Sequence, residues 1–188
     1  RDIIRQLSAW KMDVNRKPLV IHGARQVGKT WALKYFGKVY FEDVAYFSLD
    51  KDESGLCDIF KTTKDPRRII QQLSFLHGKK INPQTTLLIL DEIQECNEAL
   101  NALKYFCEEA PEYAVACAGS LLGIYLNHIG NSFPVGKVNH LSMYPLTFTE
   151  FLKTKDPNMY EYLCSIKEIA PLPQIFFDKL RESFVAYS

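Results

Sequence analysis

The stretch Gly23-Ala24-Arg25-Gln26-Val27-Gly28-Lys29-Thr30 constrains this chain more than any other. Two glycines enclose four residues, and Lys-Thr follows the second, which is the spacing of a phosphate-binding loop. Each position has a mechanical task. Glycines let the backbone turn tightly and bring its N–H groups near phosphate oxygens. The helix that follows turns its positive end to the same anion. Lys29 would reach the β- and γ-phosphates, and the Thr30 hydroxyl would sit on Mg²⁺. The set expected to touch a nucleotide is Gly23, Ala24, Arg25, Gln26, Val27, Gly28, Lys29, Thr30 and Trp31. Arg25 reads either as a contact to phosphate or a partner, or as a surface ion pair.

The flanks suit the loop. Pro18 to His22 is a short apolar run, as expected of a buried strand. Trp31, Leu33, Lys34, Tyr35 and Phe36 continue at helical spacing, and Gly37 is read as the stop. Strand, glycine loop and helix in that order are the context the motif requires.

Further along, elements alternate, which predicts an α/β fold with a mostly parallel sheet. Strands are expected near 18–22, 44–49, 85–90, 113–118 and 138–143. Helices are expected over 29–36, from Pro66 to a stop at Gly78, and over 97–109. The polar segment 50–65 reads as surface loop or short helix, and 131–137 as loop. Beyond Pro145 the pattern is helical, broken at Pro157 and at Pro171/Pro173. A nucleotide-binding domain over 1–153 follows, with an N-terminal helix in 1–16 and an α/β core over 17–144. Residues 154–188 read as a helical extension leading into a further domain. The chain starts at Arg1 without methionine and ends inside an amphipathic pattern. Those ends read as cuts in a longer protein.

A second constellation is Leu87-Leu88-Ile89-Leu90-Asp91-Glu92, four apolar residues ending in two carboxylates. A buried parallel strand delivers its last residues to the edge where open α/β sheets bind ligands. There Asp91 would hold Mg²⁺, and Glu92 would orient or deprotonate an attacking water. The plain alternative is a solvated strand exit or a helix cap. Ser120, at the end of the next strand, reads as a contact to the γ-phosphate or the attacking water, and equally as a helix N-cap. Lys137 reads as a charge donor to phosphate or as a surface lysine.

Composition closes off other classes. With 47% hydrophobic residues among 188, the chain can build a real core. A net charge of +1 with mixed signs gives no electrostatic footprint for nucleic acid. Five cysteines without a Cys-x-x-Cys pair argue against a disulfide framework and for a reducing cytoplasm. Metal-ligand spacing of His and Cys is absent. No apolar stretch reaches the length of a membrane span.

Taken together, GARQVGKT, LLILDEIQ, CAGSLLG, SFPVGKV and MYPLTFTEFL, in that order, resemble the predicted AAA-type ATPases of bacteria and archaea that carry a C-terminal domain of unknown function. The resemblance runs to about residue 155 and more loosely beyond. It implies an AAA+-like P-loop NTPase fold, a five-stranded parallel sheet sandwiched by helices. It implies ATP and Mg²⁺ as ligands and ATP hydrolysis as the activity; the alternatives are a nucleotide-gated switch read by a homo-oligomer or protein partner, and DNA-associated action through a further domain. By matching position, Lys29 and Thr30 carry over as nucleotide and Mg²⁺ ligands, Asp91 as the metal-associated acid, Glu92 as the catalytic acid and Ser120 as the sensor. Many relatives have Gly-Arg where this chain has Gly136-Lys137, which weakens any claim of an arginine finger here.

Overall fold

The computed structural model describes residues 1–50, 55–120, 136–168 and 171–187. Two compact units emerge: Ile3–Met143, and Tyr144–Ser188 together with Arg1–Asp2.

In the larger unit five strands form one parallel sheet. They are β1 (Leu19–Gly23), β2 (Asp43–Ser48), β3 (Thr86–Asp91), β4 (Ala114–Ser120) and β5 (Asn139–Ser142), ordered β2-β3-β4-β1-β5. β3 and β4 are buried along their whole length, as central parallel strands must be. Side chains alternate between the two faces and meet two separate helical layers. On one face Leu19, Ile21, Leu87, Ile89 and Ala116 pack with α1 (Ile3–Met12) and α2 (Lys29–Tyr40). On the other, Val20, Phe47, Leu88, Leu90 and Val115 pack with α3 (Leu56–Thr62), α4 (Pro66–His77) and α5 (Asn97–Glu109). The result is the three-layer α/β arrangement expected of an AAA+-like P-loop NTPase.

The register aligns the functional ends. Gly23 lies opposite Ser120, and Ser48 opposite Asp91. Those four residues therefore share the C-terminal edge of the sheet, where the chain turns out toward a ligand.

Three expectations need correction. Gly37 does not stop α2, which runs on to Tyr40. Its role is close packing: a Cβ at 37 would lie 2.6 Å from Val44 Cγ2 and 3.2 Å from Leu87 Cδ2. Helix and sheet approach too closely for a methyl group, so overpacking there costs roughly 1–3 kcal/mol. Segment 50–65 does contain the short helix offered as one reading, α3, but that helix is not a surface element. Leu56, Cys57, Ile59 and Phe60 of α3 are buried against the sheet. Finally, the cysteines are not all unpaired: Cys57 and Cys96 form a disulfide, with Cα atoms 5.9 Å apart across 39 residues of chain. Cys117 fits the core reading, being fully buried with its thiol pKa pushed up by desolvation and then by Asp91.

α4 begins and ends as its sequence predicts. Asp65 caps it by accepting from Arg67 N at 2.9 Å, Pro66 fills the first helical position, and Gly78 closes it at φ 73°. Loop residues 131–135 lie outside the described residues.

The smaller unit holds α6 (Phe148–Lys155), α7 (Pro157–Ser165) and α8 (Gln174–Tyr187). Thr147 and Glu150 form a reciprocal capping box at the start of α6. Glu150 also accepts from Arg1 Nη1 at 3.1 Å. Phe148, Phe151, Phe184 and Tyr187 make an aromatic cluster with stacked, edge and tilted contacts at 5.3–6.4 Å. Among the described residues no helix is long and apolar enough to cross a membrane.

Candidate functional site

The loop between β1 and α2 bends through two backbone positions with positive φ, Gln26 at 63° and Gly28 at 94°. Gly28 takes this conformation freely, whereas Gln26 is strained and must be held by its surroundings. No side chain caps the first turn of α2, so its N–H groups face outward as an anion site. Lys29, the first helical residue, is buried, and its ammonium donates to Gly23 O at 3.1 Å and Ala24 O at 2.7 Å. Burial lowers its pKa, while Glu92 and Asp91 pull the other way. The ammonium thus sits between the loop and a pair of carboxylates.

Across from the loop, Asp91 ends β3 and is buried. Its Oδ2 accepts from Thr30 Oγ1 at 2.8 Å and from Tyr46 Oη at 2.9 Å. Two residues 61 apart in sequence are therefore in direct contact, as a shared divalent-cation site requires. Glu92 follows at φ 50° and ψ 47°, a left-handed conformation costly for a side-chain-bearing residue. Its Oε2 accepts from Ser120 Oγ at 3.2 Å and from Gln94 Nε2 at 2.6 Å.

A cavity of about 580 Å³ opens between the loop and Glu92. Arg25, Gln26, Gly28, Lys29, Thr30 and Trp31 supply one wall, and Asp50, Glu92, Gln94, Glu95 and Ser120 the other. Trp31 is half exposed and stacks on Tyr35, with ring centroids 5.1 Å apart and planes 12° from parallel. Of the remaining expected contacts, Gly23 and Ala24 face Lys29 through their carbonyls, and Val27 packs into the α1–α2 core. Lys137 pairs with Glu108 of α5 at 2.9 Å and is not among the residues lining the cavity.

Tyr46, Asp50 and Gln94 escaped the sequence reading. Tyr46 lies on β2, paired with Ile89 of β3, one strand away from the acid it bonds. Burial, then its hydrogen bond to Asp91, pushes its phenol pKa up to about 12. The one available signal was position: Asp50 follows β2 and Gln94 follows β3 at the sheet edge that carries the loop.

The arrangement offers an anion a buried ammonium and open helix N–H groups. To a hard cation it offers a hydroxyl and carboxylate oxygens with no thiol or imidazole among them. A family profile described as an AAA domain matches residues 15–152. The chain belongs to the AAA domain family. None of the curated proteins matches the sequence. Solved structures similar to this AAA domain include AMPPCP-bound DnaA from Aquifex aeolicus, 16% identical over 99% of this chain and 58% of that one, with a TM-score of 0.49. ORC1 from Aeropyrum pernix, in complex with DNA, is 15% identical over 84% of this chain and 48% of that one, at 0.48. PCH-2 from C. elegans is 13% identical over 96% and 57%, at 0.47. The AAA domain spans about half to three-fifths of each of these chains.

Proposed function

We propose that this AAA domain binds ATP with Mg²⁺ and hydrolyses it, with Glu92 as the base. One observation carries the reading. Lys29 and Thr30, whose Oγ1 bonds Asp91, line the cavity on the loop side, and Glu92 and Ser120 line it opposite.

In this reading the N-terminal turn of α2 and Lys29 hold the β- and γ-phosphates. The fit of Mg²⁺ rests on Thr30 Oγ1 and Asp91 Oδ2, oxygen donors 2.8 Å apart. Bound there, Mg²⁺ would neutralise phosphate charge. Asp91 is kept in place by Tyr46, so it cannot swing away from Thr30 without losing a hydrogen bond. Glu92 takes a proton from the attacking water as the water oxygen bonds to the γ-phosphorus and the bond to the ADP oxygen breaks. ATP rather than GTP follows from the family and from the absence of an Asn-Lys-x-Asp motif.

Glu92→Gln tests the assignment. Nucleotide affinity should stay within a few-fold, while turnover falls by roughly 10²–10⁴, the usual worth of a general base. Unchanged turnover removes Glu92 from this role.

A second reading, a nucleotide-gated switch with little turnover of its own, is favoured by one fact. Among the described residues Arg25 is the only arginine on the cavity. A homo-oligomeric neighbour or protein partner would then supply the missing charge. Turnover per molecule measured against protein concentration separates the two. Full activity in a dilute monomer sinks the switch reading, and a steep rise with concentration supports it.

A further inference from the structure

Gln94 closes the stretch LLILDEIQ without a role in the reading given so far, yet it lines the cavity beside Glu92. It sits in the 3-10 turn Ile93–Glu95 and is buried. Its Nε2 donates to Glu92 Oε2 at 2.6 Å and to Glu95 Oε1 at 3.2 Å. Both acceptors are carboxylate oxygens, which cannot donate when ionised. The amide must therefore present its NH₂ group to them, because the flipped amide would set oxygen against oxygen. Its carbonyl Oε1 is then fixed on the opposite side. That atom is fully buried and has no hydrogen-bond partner among the described residues. A purely structural amide in a core satisfies both ends. This one spends its donors on two carboxylates at the cavity it lines and leaves its buried acceptor unpaired.

The same turn explains how Glu92 holds its left-handed backbone. Strained conformations persist where neighbours over-determine them. Glu92 N donates to Asp91 Oδ1 at 3.2 Å, and its carboxylate is gripped by Gln94 and Ser120 on one oxygen, Oε2. Gripping one oxygen leaves the other to act.

We infer that Gln94 is a positioning residue of the hydrolytic site: its NH₂ group fixes Glu92 by one oxygen, so that the other is held ready to take the proton of the attacking water. An amide is the neutral side chain that can donate to Glu92 and Glu95 at once. A carboxylate there would repel Glu92, and a thioether would donate to neither. The inference rests on the hydrolytic reading given above.

The full chain carrying Gln94→Met or Gln94→Glu tests it. Both variants keep the length of the side chain, and both remove the donor to Glu92. Affinity for a fluorescent ATP analogue should stay within threefold, KM should hold, and kcat should fall at least tenfold in each. A structural role would not give that split. In a Glu92→Gln background, adding Gln94→Met should lower the residual rate by less than twofold, because Gln94 acts through Glu92. Single variants within threefold of wild-type kcat overturn the inference, as does an additive loss in the double variant. Loss of nucleotide binding in both single variants makes Gln94 structural and also overturns it. A wild-type chain that binds ATP but never turns it over is a different result: it brings down the hydrolytic reading, and this inference with it.

Discussion

One wall of the cavity comes from a single short run of chain, Arg25, Gln26 and Gly28 to Trp31, which in the proposed reading holds phosphate. On the other, Glu92, Gln94 and Ser120 come from the ends of two strands, bonded into place by one another. The gripping wall depends on local backbone: a strand, a bend and the start of a helix. The cleaving wall depends on tertiary structure: a strained Glu92, a buried amide and a serine 28 residues downstream of the acid. Local devices survive small shifts in packing. A constellation spread over several elements does not, because misplacement of about 1 Å already costs around 10²-fold in rate. The two walls should therefore respond differently to perturbation.

The largest expected effect comes from the Cys57–Cys96 disulfide, which ties α3 to the residue just after the turn that carries Gln94. Nothing of the kind ties the loop wall among the described residues. Closing a loop of 39 residues constrains the unfolded chain, worth about 2–4 kcal/mol. Reduction, or Cys57→Ser, should lower unfolding free energy by that amount in urea titrations. At temperatures where the chain stays folded, turnover should fall more than ATP-analogue affinity does. An equal loss of both would break the comparison, since it would mean the walls are not separable.

Next in size is Lys29→Ala. A charge-assisted hydrogen bond contributes roughly 1.5–3 kcal/mol, so affinity for an ATP analogue should drop about 10- to 100-fold. Stability should change little or rise, because burial penalises the ammonium and lowers its pKa. Titration with a fluorescent nucleotide and a thermal melt read the two quantities separately. Intact binding would move the grip from the side chain to the backbone N–H groups alone.

These contrasts also decide what the sequence made legible. The loop wall could be read directly, because glycine spacing and a Lys-Thr pair are local facts with a mechanical reason. Asp91 and Glu92 were legible as the polar end of an apolar strand, and Ser120 as the polar end of the next. The strand order put all three at one edge. Gln94 was written in LLILDEIQ but carries no signal of its own, since its role comes from pointing back at Glu92. Tyr46 was hidden by an ordinary strand pattern. Gly37 misled because glycine ends many helices, and only the 2.6 Å approach to Val44 reveals why it is there. The disulfide was invisible because its partners stand 39 positions apart and no motif links them.

The smallest effect concerns Tyr46, which stands between the walls by bonding Asp91 rather than Glu92. Tyr46→Phe removes one hydrogen bond to a carboxylate, a loss of about 1–2 kcal/mol at most in stability or Mg²⁺-dependent affinity. If Asp91 belongs to the gripping wall, the variant should weaken Mg²⁺-dependent nucleotide binding a few-fold and leave kcat nearly unchanged. The pH dependence gives an independent check. The folded-state pKa of Tyr46 is raised from its ordinary value near 10 to about 12, first by burial and then by Asp91. The neutral phenol is thus favoured in the folded state, so its contribution is intact below pH 10. It is lost as pH rises toward 12, where the unfolded chain releases the proton first. Wild type should therefore lose stability between pH 10 and 12 more steeply than Tyr46→Phe, in paired urea titrations at several pH values. Parallel curves would show that the phenol is not bonded to Asp91 in solution, and Asp91 would then be free to serve either wall.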